Sequence, residues 1–256
     1  MHSQLMDGLV ILAGILAALG LLFVMRNQWT PAKLKETNDI SGFYVSTIGA
    51  IYAVIIAFML SGVWLEFDAA QVNTEQEANC LVSVFRLTNG LPTQQRKQLQ
   101  DLAQAYAETM VNEEWPAMAR QEVSERGIEI NEAMWQETTQ MQVQTPGEHA
   151  ILDHLISELT SMTEHRRIRM LQSRKGLPGI LWAVLIVGAI VTIGTSCFFG
   201  VDNLRLHAID TISLTLLVSL MLIAIAHIDR PFQGAVHVPP DGFNLALKTI
   251  KRLKGG

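Results

Sequence analysis

The chain has 256 residues, of which 49% are hydrophobic, and a mean hydropathy of +0.26. An ordinary soluble domain seldom combines these values, so the composition favours a membrane protein. The formal net charge of -5 averages an acidic middle segment with basic flanks, and the sequence shows no basic patch typical of nucleic-acid binding.

Four long, mostly uncharged segments each have the length that a helix needs to cross a bilayer core of about 30 Å. The first segment (8–25) follows a flank without Lys or Arg and precedes no A-x-A-like site, so we interpret it as a retained helix, not a signal peptide. The sequence therefore predicts an all-α polytopic membrane protein with four transmembrane helices in two hairpins. The other three segments are 42–65, 177–201 and about 212–228.

The spans divide the chain into four parts. The part between the hairpins is rich in Glu and Gln and has almost no β-branched clusters, which predicts a water-facing helical domain. The predicted parts are a first transmembrane hairpin (1–65), a helical domain (66–176), a second transmembrane hairpin (177–228) and a C-terminal tail (229–256).

The distribution of Lys and Arg predicts the orientation, because cytoplasmic ends of membrane helices carry more of them. Four spans place both termini and the helical domain on the same side, and most of the basic residues lie there. We therefore expect a multi-pass protein of the bacterial inner membrane with both termini cytoplasmic, although Arg26 directly after the first span opposes this orientation. The basic residues on the predicted cytoplasmic side are Arg166, Arg167, Arg169, Arg174, Lys175, Arg230, Lys248, Lys251, Arg252 and Lys254.

Pro and Gly predict where the helices end. No Pro and no Gly separates Val63 from Asn89, so the second membrane helix is expected to continue beyond the bilayer as one rod. Helix breaks are predicted at 89–92, at 115–116 and at 145–147, with a helix over about 130–141, and a kink is predicted at 176–179. The segment 243–253 is typical of a basic amphipathic helix, which either lies on lipid or packs on the helical domain.

An enzyme needs a nucleophile, a base or metal ligands at usable spacing, and the sequence shows no such constellation. His149 with Asp153 or His154 has the spacing of a metal site, but a solvated helical face explains these residues better. We therefore predict no enzymatic activity, no metal and no cofactor. Cys80 lies in the helical domain and Cys197 in a membrane span, so no intrachain disulfide is expected.

One face of the second span predicts a conduction path. At alternating three- and four-residue steps it carries small, polar and apolar side chains and ends in acids. In a symmetric oligomer, this face would form a narrow neck followed by acidic rings that favour cations. Alternatively, the small residues serve helix packing within one subunit and the acids face water. The candidates are Thr47, Ala50, Val54, Phe58 and Ser61 for the pore, and Asp68 and Glu75 for the cytoplasmic acidic rings.

Several motifs resemble a bacterial family of bestrophin-like membrane proteins, and the resemblance covers nearly the whole chain. The motifs are Tyr52-Ala-Val-Ile-Ile-Ala-Phe58, Ser61-Gly-Val-Trp-Leu-Glu-Phe-Asp68, Glu75-Gln-Glu-Ala-Asn79, Arg86-Leu-Thr-Asn-Gly-Leu-Pro92, Asp229-Arg-Pro-Phe-Gln-Gly234 and Val238-Pro-Pro. Bestrophins proper are pentameric ion channels whose second helices line an apolar neck. The looser resemblance to them places Ala50 and Val54 near that neck and implies a homopentamer with inorganic ions and lipid as its other partners.

The turn after the last span resembles the Asn-Pro-Phe-Gly turn of bestrophins. Here it comprises Arg230, Pro231, Phe232, Gln233 and Gly234, with Arg in place of Asn and an inserted Gln. No acidic cluster follows it, so the resemblance does not extend to a calcium site. Because Pro231 cannot continue a helix and Phe232 is apolar, we expect the turn to end the last span and Phe232 to be buried.

The leading hypothesis is thus a homo-oligomeric ion channel that conducts without a partner. A proton channel of the flagellar-stator or colicin-uptake type is an alternative; it would need a partner helix, with threonines such as Thr192, Thr195, Thr211 and Thr215 as a relay. A membrane scaffold or sensor that does not conduct is a third hypothesis. Arg86 is predicted to pair with acids earlier on the same rod and so to stabilise the helical domain.

Overall fold

A computed structural model describes residues 2–254 of the chain, and the side chains of residues 5–254. The described residues form helices joined by short turns, without any strand. The helices of the first half are α1 (His2–Gln28), α2 (Pro31–Lys35), α3 (Asn38–Leu87), α4 (Thr93–Thr109) and α5 (Trp115–Ala119). Those of the second half are α6 (Glu125–Thr139), α7 (Pro146–Arg174), α8 (Gly179–Ser196), α9 (Leu204–Ile228) and α10 (Asp241–Lys254).

The chain divides into two compact units. The apolar unit comprises residues 1–65 and 176–229, and the polar unit comprises residues 66–175 and 230–256. Four helical segments are long and apolar enough to cross a membrane, as the sequence predicted. These segments are Leu5–Gln28, Asn38–Gly90, Gly179–Ser196 and Leu204–Ile228.

Small residues allow close packing in the apolar unit. Gly14 of α1 lies against Ser219 of α9, and a Cβ atom at Gly14 would be 3.5 Å from the Ser219 hydroxyl. Gly188 of α8 lies flat against the ring of Tyr52 of α3, where a Cβ atom would overlap the ring. The Tyr52 hydroxyl donates a hydrogen bond to the Leu185 carbonyl at 2.8 Å. These contacts fix which side of α3 faces the rest of the unit.

The turns at one end of the apolar unit are held by polar contacts. Arg26 donates to the Val201 carbonyl at 2.7 Å, and Lys35 forms an ion pair with Asp202. Asn38 donates to the Gly200 carbonyl at 3.2 Å and accepts from its N–H at 2.9 Å. Arg26, which opposed the predicted orientation, therefore has a structural partner in the chain itself.

The predicted break at 115–116 is not a break. A π-helical turn over Met110–Glu114 connects α4 to α5, and Pro116 lies in the first turn of α5, where its missing N–H is tolerated. The predicted helix at 130–141 is instead α6, over Glu125–Thr139. At 176–179 the helix is interrupted, because α7 ends at Arg174 and α8 begins at Gly179, where a kink was expected.

The C-terminal helix α10 packs on the polar unit, which decides between the two possibilities that the sequence left open. Its apolar side chains Phe243, Ala246 and Ile250 are buried, while Lys254 donates to Asp101 at 2.6 Å and to Gln104 at 2.9 Å. The amphipathic pattern therefore reflects packing against protein.

Candidate pore-lining helix

Helix α3 buries one side from Tyr52 to Phe85. In the apolar unit the buried positions are Tyr52, Ile56 and Val63, which recur at the spacing of a helix face. In the polar unit the same side continues through a longer set of buried residues. These are Ala70, Asn73, Thr74, Glu77, Ala78, Leu81, Val84 and Phe85.

All five predicted pore-lining residues lie on the other side of α3 and are exposed within this chain. Phe58 is 71% exposed and Val54 is 54% exposed, whereas a core position such as Tyr52 is 4% exposed. At about 100° per residue, the stripe lies roughly half a turn away from the buried side. The other helices of this chain therefore leave these five positions largely uncovered: Thr47, Ala50, Val54, Phe58 and Ser61.

The two predicted acids continue this stripe into the polar unit. Asp68 and Glu75 are exposed, and Val72 between them is 45% exposed. Glu75 accepts a weak hydrogen bond from Gln71 at 3.4 Å. One unbroken helix thus carries an exposed stripe that is apolar and small at first and acidic at its end.

A buried ion pair on the opposite side of α3 was not predicted from the sequence. Glu77 accepts hydrogen bonds from Arg169 of α7 at 2.6 and 2.9 Å, and both side chains are fully buried. Such a bidentate pair satisfies two charges away from water. The Tyr106 hydroxyl of α4 donates to the same carboxylate at 2.7 Å.

A second carboxylate completes this cluster. Glu114, in the π-helical turn, accepts from Arg166 at 2.8 and 3.0 Å and from Arg169 at 3.2 Å, and its side chain is fully buried. Gly127 of α6 lies directly over Glu114, where a Cβ atom would overlap the carboxylate. Two carboxylates thus face two guanidinium groups, so the cluster is balanced in charge.

The surroundings hold Arg169 in place. Its guanidinium group donates to the sulfur atoms of Met118 and Met110 at 3.2 and 3.1 Å and lies 5.0 Å from the centre of the Trp115 ring. Burial alone would disfavour the charge, but Glu77 and Glu114 together raise the pKa of Arg169. Burial and the neighbouring Glu77 charge likewise raise the pKa of Tyr106, which remains a hydrogen-bond donor.

A pattern in the sequence could have found Arg169. The buried residues of α7 are Leu155, Leu159, Met162, Arg169 and Ser173, so the arginine continues the apolar stripe at helical spacing. An arginine in such a stripe needs buried carboxylates as partners. Arg166 and Arg169, which were counted among the basic residues near the membrane, are thus paired with buried carboxylates.

The turn after the last span packs as its residues suggest. Pro231 and Phe232 are buried, and the Phe232 ring meets the Trp115 ring edge-on at 5.9 Å. Gly234 has a φ of 78°, a conformation that favours glycine. Arg230 is exposed and donates to Gln233 at 3.2 Å. The turn thus anchors α10 to the helices of the polar unit.

Two expectations on charged residues have different outcomes. Arg86 is exposed and forms no hydrogen bond or ion pair among the described residues, so the predicted stabilising pair with earlier acids is wrong. Of the earlier acids, Glu77 faces the core. Glu75 is exposed on the same side as Arg86, but it lies eleven residues earlier, about 16 Å away along the helix. His149 and His154 are exposed on α7, and the described residues contain no group of side chains that could hold a metal ion.

The threonines considered for a proton relay bond mostly to backbone. Thr195 donates to the carbonyls of Val191 and Thr192, Thr211 to that of His207, and Thr215 to that of Thr211. Such bonds within a helix satisfy the hydroxyl group locally. The hydroxyl groups of Thr195, Thr211 and Thr215 are thus each satisfied within their own helix.

Four membrane-spanning candidates and a helical polar unit define an all-α membrane protein. A family model of the bestrophin-like domain matches residues 12–243, and the chain therefore belongs to the bestrophin-like family. The recognition made from sequence motifs is thus confirmed. Bestrophin-family proteins are known as ion channels. A search of curated proteins finds no match.

Solved structures share the fold across almost the whole chain. A single-residue variant of a bacterial bestrophin homologue from Klebsiella pneumoniae matches with a TM-score of 0.74 and 12% identity, covering 96% of this chain and 99% of that one. The homologue solved by Zn-SAD phasing matches with a TM-score of 0.66 and 13% identity, over 96% and 97%. A variant of a membrane protein matches with a TM-score of 0.73 and 13% identity, over 96% and 98%. The predicted bestrophin-like fold is therefore confirmed.

Proposed function

We propose that this chain forms a homopentameric ion channel in the bacterial inner membrane, with α3 lining the pore and cations as the preferred ions. The observation that carries the proposal is the continuous exposed stripe of α3. Lipid alone does not explain this stripe, because it includes Thr47 and Ser61 in the span and continues into Asp68 and Glu75 in the polar unit. A shared axis explains both the apolar and the acidic part.

The acids give the pore its proposed selectivity. In a symmetric assembly with α3 around the axis, Asp68 and Glu75 are repeated in every subunit and form two carboxylate rings. Such rings raise the local concentration of cations and lower that of anions. The apolar and small residues from Ala50 to Phe58 would form the narrow neck before the rings.

Both termini and the polar unit are proposed to be cytoplasmic. Arg167, Arg174 and Lys175 remain exposed near the start of the second hairpin, which favours this orientation. On the opposite side, Arg26 and Lys35 bond to the loop at 201–202, so their presence has a structural reason.

Ion flux through purified protein in liposomes tests the proposal, with separate sodium, potassium and chloride gradients. The test variant is the double substitution Asp68→Asn and Glu75→Gln, which removes charge while keeping shape. The matched control is Glu129→Gln with Glu132→Gln, which removes two exposed carboxylates of α6 instead. We expect cation flux that the control leaves unchanged and that the test variant makes less selective.

Two results would contradict the proposal. Wild-type protein without flux in any gradient would favour the scaffold or a channel that needs a partner. Selective flux that the test variant does not alter would show a conducting protein whose pore is not lined by this face of α3.

A further inference from the structure

Glu75 and Glu77 stand on opposite sides of one helix. Two residues correspond to about 200° of rotation around the axis of an α-helix. Glu75 is exposed on the stripe that we propose to line the pore, whereas Glu77 is fully buried. Contacts that fix the rotation of α3 at Glu77 therefore also fix the direction of the Glu75 side chain.

Two polar contacts join this side of α3 to α7. The Asn73 amide donates to the His165 carbonyl at 2.8 Å, and its oxygen is 2.8 Å from His165 Nδ1. One turn further on, Glu77 accepts two hydrogen bonds from Arg169. Helices α3 and α7 run antiparallel, since Gly90 lies against Ile151 and Lys175 donates to Glu66, so the long Arg169 side chain extends back along α7 to reach Glu77. We call these two contacts rungs.

The second rung is anchored more firmly than a single ion pair would be. Arg169 also bonds to Glu114 in the π-helical turn, to two methionine sulfur atoms, and lies over the Trp115 and Phe243 rings. Its position is thus defined by several elements of the polar unit. A rotation of α3 would break the bidentate pair and leave the buried charges of Glu77 and Arg169 without each other as partners, which costs free energy of folding.

The apolar contacts of α3 directly beside the two rungs are small, and the large buried side chains of Leu81 and Phe85 lie one and two turns beyond Glu77. The neighbouring buried positions include Ala70 and Ala78, whose side chains are small and nearly featureless. Gly242 of α10 lies close to α3, where a Cβ atom would be 3.3 Å from Ala78 Cβ and 3.4 Å from Glu75 Cα. This flat contact restricts the distance between the helices more than the angle of α3 about its axis.

We infer that the Asn73–His165 and Glu77–Arg169 rungs set the rotation of α3, and that Glu77 and Arg169 are positioning residues for the acidic rings. The inference rests on the proposed function, since it assigns to buried residues the direction in which Asp68 and Glu75 face the pore. Neither Glu77 nor Arg169 touches the permeating ion.

The test compares Glu77→Gln with Glu114→Gln in the flux assay. Both variants remove one buried carboxylate from Arg169, but only Glu77 belongs to α3. We expect Glu77→Gln to lose most of the cation selectivity that Asp68→Asn with Glu75→Gln removes, and Glu114→Gln to retain it. Asn73→Ala provides a neutral second test on the other rung, with a loss in the same direction, if Glu77→Gln does not fold.

Thiol modification gives a readout that does not depend on conduction. Thr74 is 1% exposed and belongs to the buried side of α3, so Thr74→Cys in a chain with Cys80→Ser and Cys197→Ser reports on rotation that would expose this side. We expect slow modification by a charged thiol reagent, and a rate at least about tenfold higher when Glu77→Gln is added, because local opening or rotation exposes the site.

The outcomes separate the inference from the proposed function. Selective wild-type flux together with wild-type selectivity and slow Thr74→Cys modification in Glu77→Gln would overturn the inference and leave the channel intact. Equal losses in Glu77→Gln and Glu114→Gln would also overturn it, because they indicate general loosening. Absent wild-type flux would overturn the proposed function, and the thiol rates would then still decide whether the rungs fix α3.

Discussion

Replacing Arg169 with Met should strongly destabilise the polar unit. The substitution keeps an unbranched apolar stem next to Met110 and Met118 but removes the guanidinium group. Glu114 would keep Arg166 as its partner, whereas Glu77 would keep only the Tyr106 hydroxyl. Removing one partner of a buried ion pair costs about 3–5 kcal/mol, which corresponds to a fall in Tm of about 6–20 °C for a chain of this size.

The second half of this prediction is a double variant. Glu77→Gln combined with Arg169→Met removes both charges, so the buried carboxylate without a partner disappears and part of the stability should return. Thermal unfolding followed by tryptophan fluorescence is a suitable assay, because Trp115 lies next to Arg169. If the double variant were as unstable as Arg169→Met or more so, the stabilising element would be the arginine stem and its packing, not the charge pair.

Two further predictions concern packing and pH. Gly188→Ala should lower Tm because the added methyl group would displace the Tyr52 ring, at a cost of about 1–3 kcal/mol. The control Gly8→Ala has open space around the added methyl group and should not lower Tm. Equal effects of the two variants on Tm would contradict this prediction. Burial, with a smaller contribution from Glu158, raises the pKa of the Cys80 thiol from 9.0 to about 11. In a Cys197→Ser chain, the rate of Cys80 alkylation at pH 8 should therefore be about 100-fold lower than that of a free thiol and should rise steeply with pH. A Cys80 rate equal to that of a free thiol would refute this prediction.

The spans and the rod were predictable because their signals are local. Long uncharged stretches specify membrane helices through length and hydropathy alone, and the absence of Pro and Gly after Val63 allowed α3 to be continued to Leu87. The turn at 230–234 was also predictable from its Pro and Phe. In each case the residues of one segment are sufficient to predict its structure without knowledge of distant contacts.

The buried cluster depends on residues far apart in sequence and was missed for that reason. The position of Arg169 in the apolar stripe of α7 indicates burial but does not name its partner, and Glu77 looks like an ordinary surface charge until Arg169 is known to contact it. The expectation for Arg86 was wrong for two reasons: Glu77 faces the core, and Glu75, on the same side as Arg86, lies too far along the helix for an ion pair. Pro116 suggested a break because proline ends most helices. The π-helical turn that precedes it and lets the helix continue leaves no simple signal in the sequence.

The two kinds of carboxylate on α3 explain how one helix could combine stability with the proposed ion conduction. An acid that attracts mobile cations must remain unpaired, and Asp68 and Glu75 are exposed accordingly. Unpaired like charges around an axis repel one another, however, and repulsion would favour any rotation that moves them apart. A neutralised pair on the opposite side, as Glu77 forms with Arg169, opposes such rotation without adding charge to the pore. Selectivity at the proposed rings would thus depend on a contact that ions never reach.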